Sequence, residues 1–168
     1  SPAPPAGTAP GEPSGGRPPR SARLGALGLF HPFPSALVAL SAGALGLIAG
    51  GSIAEAATLT LAMAGFQVSI GALNDLRDRD GDAVGQPWKP IPSGRVRPGT
   101  AGWVVAMGAT VGVIGSLALG PATLLVGLLG YALGVAYDLR LKGTAWGWLC
   151  LALALPLVPV YAWLGVDA

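Results

Sequence analysis

The sequence predicts an all-α protein, a polytopic transmembrane helical bundle with about five spans. Three observations carry that prediction. Of the residues, 52% are apolar and only 11% charged. The ten Lys and Arg residues fall into three islands, Arg17 to Arg23, Arg77 to Arg97, and Arg140 with Lys142. Between the islands run long, almost uncharged stretches. A soluble domain ordinarily carries about a quarter charged residues, and a mean hydropathy of +0.60 leaves too little polar surface to face water. Helices at a soluble surface show a polar stripe with a 3.6-residue period, and these stretches have none. Many of the 27 glycines sit among Ala, Leu and Val, where small residues let spanning helices approach closely.

Residues 1–23 are rich in Pro, Gly, Ser and Ala and read as a disordered cytoplasmic tail. No apolar segment with a cleavage site closes the tail off, so it is not a signal peptide. The remainder, 24–168, reads as one membrane domain. A helix needs about 20 residues to cross a ~30 Å hydrocarbon core, and spans are predicted near 34–53, 56–76, 101–120, 121–137 and 145–165. Pro34 suits the start of the first. Gly50-Gly51 and Gly120-Pro121 mark tight turns between paired helices. Trp103, Trp146, Trp148 and Trp163 fall near span ends, as an interfacial aromatic belt requires.

Five spans place the tail, the 77–100 loop and the 138–144 loop on one side, and these segments hold all ten basic residues. Glu55 and Asp167 fall on the other side. The positive-inside rule then puts the basic loops in the cytoplasm, with a bacterial plasma membrane as the expected setting. The single cysteine, Cys150, excludes an internal disulfide and a Cys-based zinc site and is expected to be a buried thiol. A net charge of +2 argues against a nucleic-acid partner.

The chemistry is concentrated between Asn74 and Arg97. Asn74, Asp78 and Asp82 stand at i, i+4 and i+8, so they project from one face if the second span continues helically for about two more turns. Asp75 and Asp80 lie off that line. Clustered carboxylates repel one another unless a cation joins them, and hard oxygen ligands suit Mg²⁺, which keeps water and substrate phosphates in its shell. Asn74, Asp78 and Asp82 are therefore the candidate metal ligands. A solvated acidic loop balanced by Arg77, Arg79, Lys89, Arg95 and Arg97 is the plainer alternative. A calcium loop beginning at Asp78 fails, because Ala83 and Lys89 stand where Gly and Glu are needed. The following segment, Gln86 to Val96, has prolines at 87, 90 and 92. Proline fixes the backbone and so can hold Lys89 in place opposite a carboxylate–metal cluster.

Asn74-Asp75-Leu76-Arg77-Asp78-Arg79-Asp80-Gly81-Asp82 and Lys89-Pro90-Ile91-Pro92-Ser93-Gly94-Arg95-Val96 resemble the first Asp-rich motif and following loop of the UbiA family of intramembrane prenyltransferases. His31-Pro32-Phe33-Pro34-Ser35 is similar to the family's entry segment, and Tyr137 to Lys142 to the loop after its fourth helix. Gln86 and Lys89 stand where the family usually has Arg, and lysine keeps the charge without the bidentate fork. The family has about nine helices and a second Asp-rich motif, so on this resemblance the chain covers the first half, and that half alone is expected to be inactive.

The resemblance implies Mg²⁺-dependent transfer of an isoprenyl group from a prenyl diphosphate to an aromatic or lipid acceptor within the membrane. It implies Asp78, Asp82 and Lys89 as catalytic residues. Asn74, Lys89, Tyr137, Arg140 and Lys142 would contact the diphosphate, with Asn74, Asp78 and Asp82 on the metal. Tyr137 could equally be an interfacial anchor, and His31 a helix-entry residue. Glu55 reads as a solvated turn residue, and Met63 and Met107 as packing. A non-catalytic module that binds a lipid diphosphate or a partner subunit is the alternative from another class. A CDP-alcohol phosphotransferase would need a D-G-x-x-A-R lead, which the sequence lacks.

Overall fold

The apolar stretches fold into six α-helices joined by short turns. The computed structural model describes residues 32–166, so the tail at 1–23, His31 and Asp167 lie outside the described residues. Helix α1 spans Pro32–Ile48, α2 Ile53–Gly85, α3 Pro98–Ala118, α4 Pro121–Ala136, α5 Gly147–Ala154 and α6 Leu157–Leu164. A π-helical turn, Tyr137–Leu141, continues from α4. No strand occurs among the described residues. Four helical segments, Ile53–Gly85, Pro98–Ala118, Pro121–Leu141 and Gly147–Leu164, are long and apolar enough to cross a membrane, and α1 is a shorter apolar helix. The chain is an integral, multi-pass membrane protein.

Local chemistry sets the helix ends. Ser52 Oγ accepts from the Glu55 N–H at 3.2 Å, and the Glu55 carboxylate accepts from the Ser52 N–H at 2.7 Å. This reciprocal capping box satisfies two of the donors that a helix start leaves open. Glu55 is therefore a cap as well as a turn residue, and it is partly buried. At Gly120 the backbone takes φ +118°, and Pro121 follows at the first position of α4. The last predicted span is not continuous. It breaks at Leu155-Pro156, where proline has no N–H for the helical ladder. Helix α2, by contrast, runs 33 residues. At about 1.5 Å per residue this is roughly 50 Å, so its polar C-terminal turns extend beyond a ~30 Å core.

Helix α1 packs on α2, α2 on α3, α3 on α4, α4 on α5 and α6, and α6 returns to α1. The closed ring surrounds an apolar core that includes Ala42, Leu59, Ala62, Met63, Leu119 and Tyr161. Two serines make polar contacts across it. Ser116 Oγ and Tyr161 OH lie 2.8 Å apart between α3 and α6, while Ser69 Oγ donates to the Val105 carbonyl at 2.8 Å and meets Tyr131 OH at 2.9 Å. With no water available, such pairs satisfy groups that would otherwise be stranded in hydrocarbon. Leu40, Leu61, Ile114 and Leu125 point outward, as do all four tryptophans of the predicted belt. Cys150 is buried.

The tightest crossing, between α2 and α3, is made by glycine. A Cβ on Gly108 would come within 2.7 Å of the Gly65 carbonyl oxygen, and one on Gly112 within 2.4 Å of the Phe66 ring. Backbone cannot yield at this distance, so Gly108→Val should force α2 and α3 apart and cost about 1–3 kcal/mol, the usual cost of overpacking. Gly102 lies on the same helix with nothing within 4 Å of a built Cβ, and Gly102→Val should leave stability nearly unchanged. Thermal unfolding in detergent compares them. Equal losses in both variants would contradict this packing.

Candidate functional site at the polar end of helix α2

Rotation along α2 sorts its polar side chains into two groups. At 100° per residue, Asp78 lies about 40° round the axis from Asn74, whereas Asp82 lies about 80° away. Asp82 is only about 20° from Asp75, seven residues earlier. The contacts follow this geometry. Asn74 and Asp78 share one lysine, and Asp75 and Asp82 share another.

Lys142 completes the first group. Its Nζ donates to Asn74 Oδ1 at 2.6 Å and is ion-paired with Asp78 Oδ2. The lysine reaches α2 because the π turn adds a residue to the end of the α4 segment. The Lys142 N–H donates to the Tyr137 carbonyl at 2.8 Å, five residues back. Gly143 then turns the chain with φ +78°. These contacts bring the loop after α4 to the same end of the bundle as the loop after α2, as the charge partition predicts.

Lys89 completes the second group. Its Nζ lies 3.2 Å from Asp75 Oδ1 and 2.7 Å from Asp82 Oδ2. Asp75 is only 2% exposed, and Asp82 is also buried. Burial alone would pull the lysine pKa down. The hydrogen bonds and charges of Asp82 and Asp75 together outweigh burial and hold it above the ordinary lysine value. A raised folded-state pKa means that this pairing stabilises fully below the unfolded value of ~10.4 and is lost as pH rises through the folded one.

The loop that presents Lys89 is folded rather than extended. The Val96 N–H donates to the Pro90 carbonyl at 2.9 Å, and Ser93 Oγ donates to the Lys89 carbonyl at 2.6 Å. Arg95 Nε donates to Ser93 Oγ at 2.9 Å, and its guanidinium also bonds the Trp88 carbonyl. Ile91 and Val96 are buried with Ala101 against Leu76. Gly94 supplies the left-handed turn at φ +74°. Arg95 therefore braces the loop from within.

Beneath this end lies an apolar cavity of about 400 Å³. Asn74, Tyr137 and Asp138 line its polar mouth, and Gln67 adds an amide deeper in. Phe66 and Tyr131, with ring centroids 5.2 Å apart, form part of its wall. Its inner end meets the core at Met63 and Tyr161. Arg140 is exposed and makes no ion pair among the described residues. No cluster of three His, Cys, Asp or Glu side chains that could hold a metal ion is present among the described residues; the oxygens converge in two pairs, Asn74 with Asp78 and Asp75 with Asp82.

Two residues gain importance that the sequence pattern did not give them. Asp75 lies off the Asn74–Asp78–Asp82 line, and only its seven-residue spacing to Asp82 hints that the two share a partner. Asp138 is buried at the cavity mouth; a lone acid closing an apolar stretch was its one signal.

Comparison with known proteins identifies the family and the fold. The UbiA prenyltransferase family profile matches residues 33–168. Digeranylgeranylglyceryl phosphate synthase of Methanopyrus kandleri is 36% identical over 119 residues, 70% of this chain and 44% of the relative. The enzyme of the same name from Hyperthermus butylicus is 36% identical over 87 residues, 51% of this chain and 29% of the relative. The chain thus spans less than half the length of these curated relatives. A solved structure concerned with digeranylgeranylglyceryl phosphate synthase in membranes matches with a TM-score of 0.80 at 16% identity, over 88% of this chain and 54% of that one. A UbiA homolog from Archaeoglobus fulgidus bound to GPP and Mg²⁺ matches with a TM-score of 0.74 at 18% identity, over 85% and 54%. At such identities the structural likeness is one of fold, and it is the family profile, covering most of the chain, that decides: this chain belongs to the UbiA prenyltransferase family.

Proposed function

We propose that the chain provides the first Asp-rich face of an intramembrane prenyltransferase site, which transfers an isoprenyl group from a prenyl diphosphate to a lipid acceptor. The observation that carries this reading is the pairing of Asn74 Oδ1 and Asp78 Oδ2 on one cationic nitrogen, at the mouth of an apolar cavity. A polar end that holds cations and an apolar well beneath it match the two halves of a prenyl diphosphate. The names of the Methanopyrus and Hyperthermus relatives support an isoprenyl glycerophosphate as the acceptor.

The donor set fits Mg²⁺. An amide oxygen and a carboxylate oxygen already converge on a positive group, and both are the hard ligands that this ion takes. In this reading Asn74 and Asp78 hold the metal, and Asp82 contributes if it is released from Lys89. When bound, the metal neutralises charge on the diphosphate as it leaves. The chain's own groups do the rest. Lys142 and Lys89, with Arg140 nearby in the loop, present positive charge to the diphosphate oxygens. Tyr137 orients the diphosphate at the cavity mouth. The allylic carbon–oxygen bond breaks with its electron pair passing to the diphosphate, and an acceptor hydroxyl oxygen bonds to that carbon as its proton passes to the departing diphosphate. Apolar walls such as Phe66 and Ile70 exclude water that would otherwise capture the allylic cation. The basic loops, and the site with them, face the cytoplasm.

The test measures prenyl transfer by the full-length protein in lipid. Chelation should abolish turnover and added Mg²⁺ restore it. Asp78→Asn should lower kcat on the order of a hundredfold or more, as loss of a group stabilising transition-state charge does, and Asp82→Asn should also lower it. Undiminished turnover in both variants would reject the site. Asp75→Asn, which leaves Lys89 one carboxylate, should reduce turnover less, on the order of tenfold, through a loosened loop. Increased proteolysis between residues 86 and 97 would register that loosening, and an unchanged cleavage rate would contradict it.

A further inference from the structure

The two lysines of the site are held differently. Lys89 is gripped by two carboxylates, with its side chain only 16% exposed. Lys142 is held by one carboxylate and one neutral amide, with its side chain 37% exposed. Its partners, Asn74 and Asp78, are the oxygen donors assigned above to the divalent ion. An ammonium group and a divalent cation repel each other and compete for the same lone pairs, so they cannot both occupy these oxygens at contact distance.

The head of Lys142 can move while its root stays in place. Its backbone N–H is bonded to the Tyr137 carbonyl at 2.8 Å within the π turn. Tyr137 and Asp138, in the same turn, line the cavity mouth. Beyond that anchor, Lys142 offers a four-carbon stem with free torsions and a point charge without a fixed hydrogen-bond plane. Gly143 at φ +78° follows it, leaving the neighbouring backbone without a side chain. A displaced ammonium therefore swings about a point fixed beside the mouth, within reach of an anion seated there.

We infer that Lys142 is a displaceable counter-ion: it neutralises Asn74 and Asp78 until a divalent cation binds together with a diphosphate, and then passes its ammonium to the diphosphate oxygens. This inference rests on the metal-site reading above and adds to it. The exchange breaks one ion pair and forms another, with no covalent change. Without diphosphate, displacing Lys142 leaves its charge without a partner, so the metal alone binds weakly. With diphosphate, the ammonium moves from one anion to the next. Metal and diphosphate affinity are thereby coupled through one side chain, and the coupling is reciprocal.

The experiment titrates Mn²⁺ into the full-length protein in nanodiscs, with and without inorganic diphosphate, and reads bound Mn²⁺ by electron paramagnetic resonance. Lys142→Met should bind Mn²⁺ alone on the order of tenfold more tightly than the parent, the change expected for removing ~1.4 kcal/mol of competition, and the gain from diphosphate should shrink. Lys142→Arg, which keeps the charge and controls for folding, should retain weak binding of Mn²⁺ alone. Asp78→Asn should lose the site. If Asp78→Asn loses binding but Lys142→Met binds Mn²⁺ no more tightly than the parent, the counter-ion role is overturned and the metal site stands. If Asp78→Asn binds like the parent, both are overturned.

Discussion

Two lysines, each brought from a loop onto a pair of oxygen-bearing side chains at the end of α2, hold the functional end together. Without a cation, Asp75, Asp78 and Asp82 would crowd negative charge onto about two helical turns beside a membrane of low dielectric. Lys89 and Lys142 remove that repulsion, and each does so from a different part of the chain. The same contacts tie the α2–α3 loop and the α4–α5 connection to one helix. Charge balance and loop position are thus a single constraint.

The bundle below serves that constraint. Glycine contacts between α2 and α3 and the hydrogen bonds of Ser69 to α3 and α4 fix the rotation of α2 without relying on water. Rotation matters because it decides which lysine each acid meets. It also sets Asn74 on the cavity mouth, so that a group bound by its amide oxygen has an apolar well directly beneath it. Family membership, carried by the match over residues 33–168, gives this combination its chemical meaning.

Much of this was legible in the sequence, for physical reasons. Uniform apolar stretches and a complete partition of Lys and Arg specify spans and a shared side for the basic loops. The four-residue spacing of Asn74 and Asp78 specifies a shared face. Asp82 was harder, because the 3.6-residue period drifts about 80° over eight residues and carries its side chain toward Asp75. The reach of Lys142 depends on an i to i+5 hydrogen bond in a π turn, which leaves no mark on hydrophobic periodicity. The break at Leu155-Pro156 does have a sequence signal, the proline, but composition alone merges the two halves into one apolar stretch. The capping role of Glu55 was likewise written in the Ser52-to-Glu55 spacing.

The central claim is that Asn74 and Asp78 hold a metal against a diphosphate at the cavity mouth. The most direct measurement is the hyperfine coupling between bound Mn²⁺ and the ³¹P nuclei of a prenyl diphosphate on the full-length protein. The account predicts direct Mn²⁺–phosphorus coupling in the parent and its loss in Asn74→Ala and Asp78→Asn. Coupling of unchanged strength in both variants would contradict it.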